Sequence, residues 1–136
     1  MLAFHIGEEK SEYLRVAITR DNGDGWLASE VDISVGGFRA KYSADFNPWA
    51  FSDFFAQLEG LYRTVSGTAQ FTSYDRQLEL TLSCDGTGHI LVLGEAMDYA
   101  GTGNRLSFHM EVDQTYVPAI LRSLRAAVER YPGRAV

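Results

Sequence analysis

The sequence holds a single cysteine, Cys84, among 136 residues. One thiol cannot close an internal disulfide or build a thiolate metal cluster, so Cys84 reads as a structural thiol in a strand. No apolar run approaches the length of a membrane span. The N-terminal Met1-Leu2-Ala3-Phe4-His5-Ile6-Gly7 also lacks the basic segment and long apolar stretch of a signal peptide. The expectation is a soluble, cytoplasmic protein with no membrane partner. Basic residues are scarce as well: twelve Lys and Arg stand against eighteen Asp and Glu, for a net charge of -6. Such a field repels nucleic acid and steers a basic partner toward the chain, although the same charge also serves plain solubility.

Catalytic signatures are missing too. There is no G-x-S-x-G elbow, no P-loop, no H-E-x-x-H helix and no paired C-x-x-C, so neither an enzyme nor a cofactor is implied. Gly86-Thr87-Gly88 and Gly101-Thr102-Gly103 each precede a strand, whereas a phosphate-binding glycine loop must open a helix; they read as hairpin turns. Asp21-Asn22-Gly23-Asp24-Gly25 lacks the alternating acids and closing Glu of a calcium loop, and it too reads as a turn. His89 and His109, with Glu95 or Glu111, would need to share a face and register to hold a metal; surface histidines are the simpler reading. Glu30 with Asp32, and Glu111 with Asp113, project as pairs from one side of a strand. Without a cleft they read as a solvated sheet face rather than an acid and base.

What is present is a clear succession of periods. No linker, low-complexity tract or long repeat interrupts the chain, so residues 1–136 are expected to form one domain. Leu14, Val16 and Ile18 alternate with polar neighbours over 12–20, the period of a half-buried strand. A second strand runs over 26–35. At Gly36-Gly37 the apolar set then moves to Phe38, Ala40 and Tyr42, which fits either a bulge within one bent strand or a hairpin turn. Asn47-Pro48 is a helix start, with Asn as the cap and Pro in the first turn. Phe51, Phe54, Phe55, Leu58, Leu61, Tyr62 and Val65 follow at helical spacing.

Four strand-like stretches come next, over 68–74, 77–84, 89–97 and 105–112, joined by short turns as in an antiparallel meander. Ile90-Leu91-Val92-Leu93 is apolar at every position, which suits a central strand covered on both faces. A last helix begins near Asp113 or Thr115, carries Val117, Ile120, Leu121, Leu124, Ala127, Val128 and Tyr131 on one stripe, and ends at Pro132-Gly133. The predicted fold is α+β: a mostly antiparallel sheet of about six to seven strands, with two amphipathic helices packed on one face.

The opposite face of that sheet would carry Tyr13, Arg15, Glu79 and Thr81 around the candidate partner-binding residues Glu30, Asp32, Leu91, Leu93, Glu95, Met97, His109 and Glu111. An apolar centre in an acidic field has the anatomy of a protein-binding patch. A solvated face or a homodimer seam would look the same from sequence.

Particular stretches extend this reading. They are Val31-Asp32-Ile33-Ser34-Val35-Gly36-Gly37-Phe38, Phe51-Ser52-Asp53-Phe54-Phe55-Ala56-Gln57-Leu58, Gly88-His89-Ile90-Leu91-Val92-Leu93-Gly94, Leu106-Ser107-Phe108 and Asp113-Gln114-Thr115-Tyr116-Val117. Taken in order over roughly residues 10–131, the chain resembles the WapI-type bacterial immunity proteins and related small bacterial families. The resemblance implies a cytoplasmic antitoxin that binds a toxin, often a nuclease, and blocks it by direct contact; it transfers no site residues. A basic toxin domain would match the acidity of the chain. Two other readings stand beside it: a small-ligand binder or enzyme with a pocket near Trp26, Trp49 and Tyr62, and a homo-oligomeric module.

Overall fold

The computed structural model describes residues 1–133. Its elements run β1 (Leu2–Gly7), β2 (Tyr13–Asp21), β3 (Leu27–Val35), β4 (Phe38–Phe46), α1 (Pro48–Thr64), β5 (Gly67–Phe71), β6 (Leu78–Cys84), β7 (His89–Met97), β8 (Arg105–Asp113) and α2 (Val117–Arg130). A 3-10 turn, Gln114–Tyr116, precedes α2, and the Asp113 carboxylate caps it by accepting from the Thr115 N–H at 2.9 Å.

The strands form two antiparallel four-stranded sheets, β1-β2-β3-β4 and β5-β6-β7-β8, each a plain meander. The expected single sheet of six to seven strands is thus corrected, among the described residues, to two sheets and eight strands. Residues 36–37 form a two-residue hairpin turn, with Gly36 at φ 55° and Val35 paired to Phe38. A strand absent from the sequence reading, β1, lines up on β2, with Ala3, Phe4 and Ile6 fully buried.

The division into two sheets has a physical cause. Each meander alternates apolar and polar residues and so has one face to hide. The inward rows Leu14-Val16-Ile18 and Val31-Ile33 of the first sheet join Leu80-Leu82, Ile90-Val92 and Met110-Val112 of the second in one cluster. The sheets therefore bury their apolar faces in a shared core, as in a sandwich. The helices do not blanket one sheet face as predicted. They pack on each other and along edge strands, α1 against β5 and α2 against β1.

Aromatic rings fill the junction. Phe4, Phe46, Phe51, Phe54 and Phe71 meet with ring centroids 5.2–6.3 Å apart, mostly edge to face, the arrangement the ring quadrupole favours. Phe55 and Tyr62 fall off the buried stripe of α1. Phe55 is instead covered by the Arg125 guanidinium of α2, 5.2 Å from its ring centre.

Asn47 does not cap α1. Its carbonyl oxygen accepts from the Ser73 hydroxyl and the Tyr74 N–H, its amide donates to Gly25 O, and its backbone N–H donates to Ser73 Oγ. The side chain satisfies groups from two other loops that have no partner nearby, and so ties the β4–α1 corner to the β5–β6 connection.

Candidate functional site: the outer face of the second sheet

Strand β7 lies between β6 and β8, with Leu91 opposite Ser83 and Glu111 and Leu93 opposite Thr81 and His109. Period two sends Ile90 and Val92 into the core, where both are fully buried. Leu91 and Leu93 point outward and remain 38% and 49% exposed. The apolar run thus does belong to a central strand, but only one of its faces is covered.

Carboxylates surround the two leucines. Glu79 and Glu95 stand directly opposite each other across β6 and β7. Like charges so placed repel unless a cation intervenes. Arg105 supplies one, with Nη1 2.9 Å from Glu95 Oε1, and Thr72 donates to Glu79 at 3.4 Å. Glu111 and His109 border the leucines on β8, both exposed. Met97 ends the row but is only 6% exposed, because it sits at the bottom of a small cleft lined by Asp75, Arg76, Glu79, Glu95 and Arg105.

On the opposite, core-facing side of β7, Gly94 interrupts the buried row of Ile90, Val92 and Ala96 for a packing reason. It pairs with Phe108, and a Cβ at 94 would run into the Phe108 ring. The bare glycine lets that aromatic side chain lie flat on β7 from the core side.

Strand alternation predicts Glu30 and Asp32 on the same face as these residues, and the structure separates them. Both stand on the outer face of the first sheet, opposite Ala17 and Arg15. Asp32 is engaged there: Tyr13 OH donates to it at 3.3 Å, Arg39 donates to that hydroxyl at 3.0 Å, and the Tyr13 ring stacks on His5. Glu30 lines an open cleft of about 650 Å3 with Asp45, Asp75 and Asp98. Sequence could not make this division, because strands of either sheet present the same outward alternation.

Two other concavities frame the sandwich. One of about 390 Å3 opens between the β1–β2 turn and the end of β8, lined by Glu8, Glu12, His89, Glu111 and Asp113. Tyr116 donates to Glu8 across its rim, and this bond raises the phenol pKa above its ordinary value. The other, about 290 Å3, brings Trp26 and Trp49 together with Asp24 and Pro48. Tyr62 is not part of it. The Asp24 carboxylate already accepts from the backbone N–H of Trp26 at 3.2 Å.

His89 pairs with Asp113 and His109 with Leu93, so the two histidines lie four positions apart along the ladder. Among the described residues, no three His, Cys, Asp or Glu side chains stand close enough to hold a metal ion. No described helix is long and apolar enough to cross a membrane.

Against known proteins, the family model of the immunity protein WapI-like family matches residues 4–132. The chain belongs to that family. Among solved structures it is similar to a chain of the CdiA-CT/CdiI toxin and immunity complex from Enterobacter cloacae. The identity is 11% and the TM-score 0.46, with 82% of this chain and 97% of that chain covered. No curated protein matches the sequence.

Proposed function

We propose that this immunity-family protein neutralises its toxin by laying the outer face of the β5–β8 sheet on a basic surface of that toxin. The observation that carries the proposal is the pair of exposed leucines on a central strand, set among Glu79, Glu95, His109 and Glu111. Two neighbouring apolar side chains desolvate readily, while the surrounding charges speed encounter and reject partners of the wrong sign. In this reading the protein works in the cytoplasm without cofactor or catalysis, and binds neither nucleic acid nor membrane.

Purified protein titrated with the toxin domain encoded beside it tests the proposal. Leu91→Ser with Leu93→Ser is expected to weaken binding at least about tenfold, as for the buried centre of an interface. Glu30→Gln with Asp32→Asn, on the other sheet, is expected to change it less than about threefold, as surface changes outside an interface do. Unchanged binding by the leucine variant would remove this face from consideration.

A further inference from the structure

We infer that strand β8 is a docking edge for a second copy of this chain, joining two β5–β8 sheets into one eight-stranded sheet across a two-fold axis. The inference concerns the isolated protein and does not rest on which face the toxin covers.

The two sheets have four edges, and three are protected. Edge β1 carries a register break between Leu2 and Phe4 and has α2 against it; edge β5 has α1 against it. Edge β4 presents Arg39 and Lys41, and its Asp45 N–H is already taken by Gln77 Oε1 at 3.4 Å. Helix cover, a bulge and a lysine are the usual protections against strand addition. Strand β8 has none of them. Its nine residues, Arg105–Asp113, contain no proline and pair with β7 without a break in register.

The free groups on that edge can be assigned. Asp98 N donates to Asn104 O at 3.1 Å and Gln114 N to Gly88 O at 2.8 Å, bracketing the β7–β8 ladder with even-numbered pairs. Antiparallel pairs alternate between bonded and non-bonded, so the even residues of β8 bond to β7. Arg105, Ser107, His109 and Glu111 therefore turn their N–H and C=O groups to the open edge. Among the described residues, none of these backbone groups has another partner.

The occupant follows from charge. When β8 is set antiparallel to its own copy about Phe108, these four residues form the bonded pairs. Arg105 then falls opposite the second copy's Glu111, and Ser107 opposite its His109, each twice by symmetry. Opposite charges directly across a strand pair attract, and a closed two-fold contact uses the same residues on both copies. The strand is complementary to itself, whereas an arbitrary basic strand would meet Arg105 as a like charge.

Sedimentation of the purified chain alone, over micromolar to near-millimolar concentration, tests this. A monomer–dimer equilibrium is expected. Ser107→Pro removes a free-edge N–H without touching the β7 ladder, and is expected to leave a folded monomer by circular dichroism. Should that variant misfold, charge reversal still decides. Glu111→Arg sets Arg against Arg twice and is expected to weaken the dimer about tenfold or more; adding Arg105→Glu is expected to restore it. A chain monomeric throughout overturns the inference. So does a dimer that is indifferent to Glu111→Arg, which would place the seam elsewhere, for example at Leu91 and Leu93. Loss of toxin binding in Ser107→Pro, with the wild-type chain monomeric, would assign the edge to a toxin strand and overturn it too.

Discussion

Gly94 and Phe108 face each other across the β7–β8 ladder, and the phenyl ring occupies the space a side chain at 94 would need. Gly94→Ala is accordingly expected to destabilise the protein by about 1–3 kcal/mol, the ordinary cost of overpacking a filled core. Chemical denaturation measures it. Phe108→Leu in the same background should recover part of the loss, because the smaller side chain frees the space.

Tyr42 lies between the sheets, and its hydroxyl donates to Gln77 O at 2.7 Å. Burial holds the phenol well above its ordinary pKa, so it stays neutral in this role. Tyr42→Phe keeps the ring and deletes the bond, and is expected to cost about 0.5–1.5 kcal/mol. Thermal unfolding checks the loss, which should leave toxin affinity unchanged, since Tyr42 is remote from Leu91 and Leu93 in the fold.

Asp98 accepts from the Asn104 N–H at 2.7 Å and from its side-chain amide at 3.0 Å, closing the β7–β8 connection. These bonds hold its pKa below the ordinary 3.8. A carboxylate lowered in the folded state contributes stability in full above the unfolded value and loses it as pH falls through the folded one. Asp98→Asn is therefore expected to flatten the loss of stability below about pH 4, where the unfolded carboxylate begins to bind protons. Denaturation midpoints taken between pH 2 and 6 give the comparison.

If Glu79, Glu95 and Glu111 steer a basic toxin, association should slow with salt more than dissociation quickens. Stopped-flow binding at roughly 0.02 and 0.3 M salt is expected to show this. Neutralising the three residues to Gln should reduce the salt dependence of the on-rate, while Leu91→Ser should act mainly on the off-rate.

Element type was readable where one period ran without interruption. The meander of β5–β8 and both helices follow from alternation and three-four spacing alone. The number of sheets was not, because a strand's pattern shows that it has a buried face without showing what covers it. Alternation does not predict strand β1, because its three buried positions, Ala3, Phe4 and Ile6, break the strict period of two at the bulge. Asn47 shows the same limit at a single residue: the type suits a helix cap, yet loops distant in sequence take its bonds. At the candidate site, Leu91, Leu93, Glu95, His109 and Glu111 fall together because they lie on adjacent paired strands. Glu30 and Asp32 could be separated from them only by knowing that the strands before α1 and those after it form two different sheets.

The packing of α2 on β1 also sets an order in time. Among the described elements β1 is made first during synthesis and α2 last, so the edge of the first sheet stays bare while the strands between are being made. Neighbouring strands can pair as they appear, but the contact that closes the core spans most of the chain and must form late. A toxin-neutralising surface on β6–β8 would then be complete in sequence shortly before the fold that holds it rigid. Protection would date from the docking of that last helix.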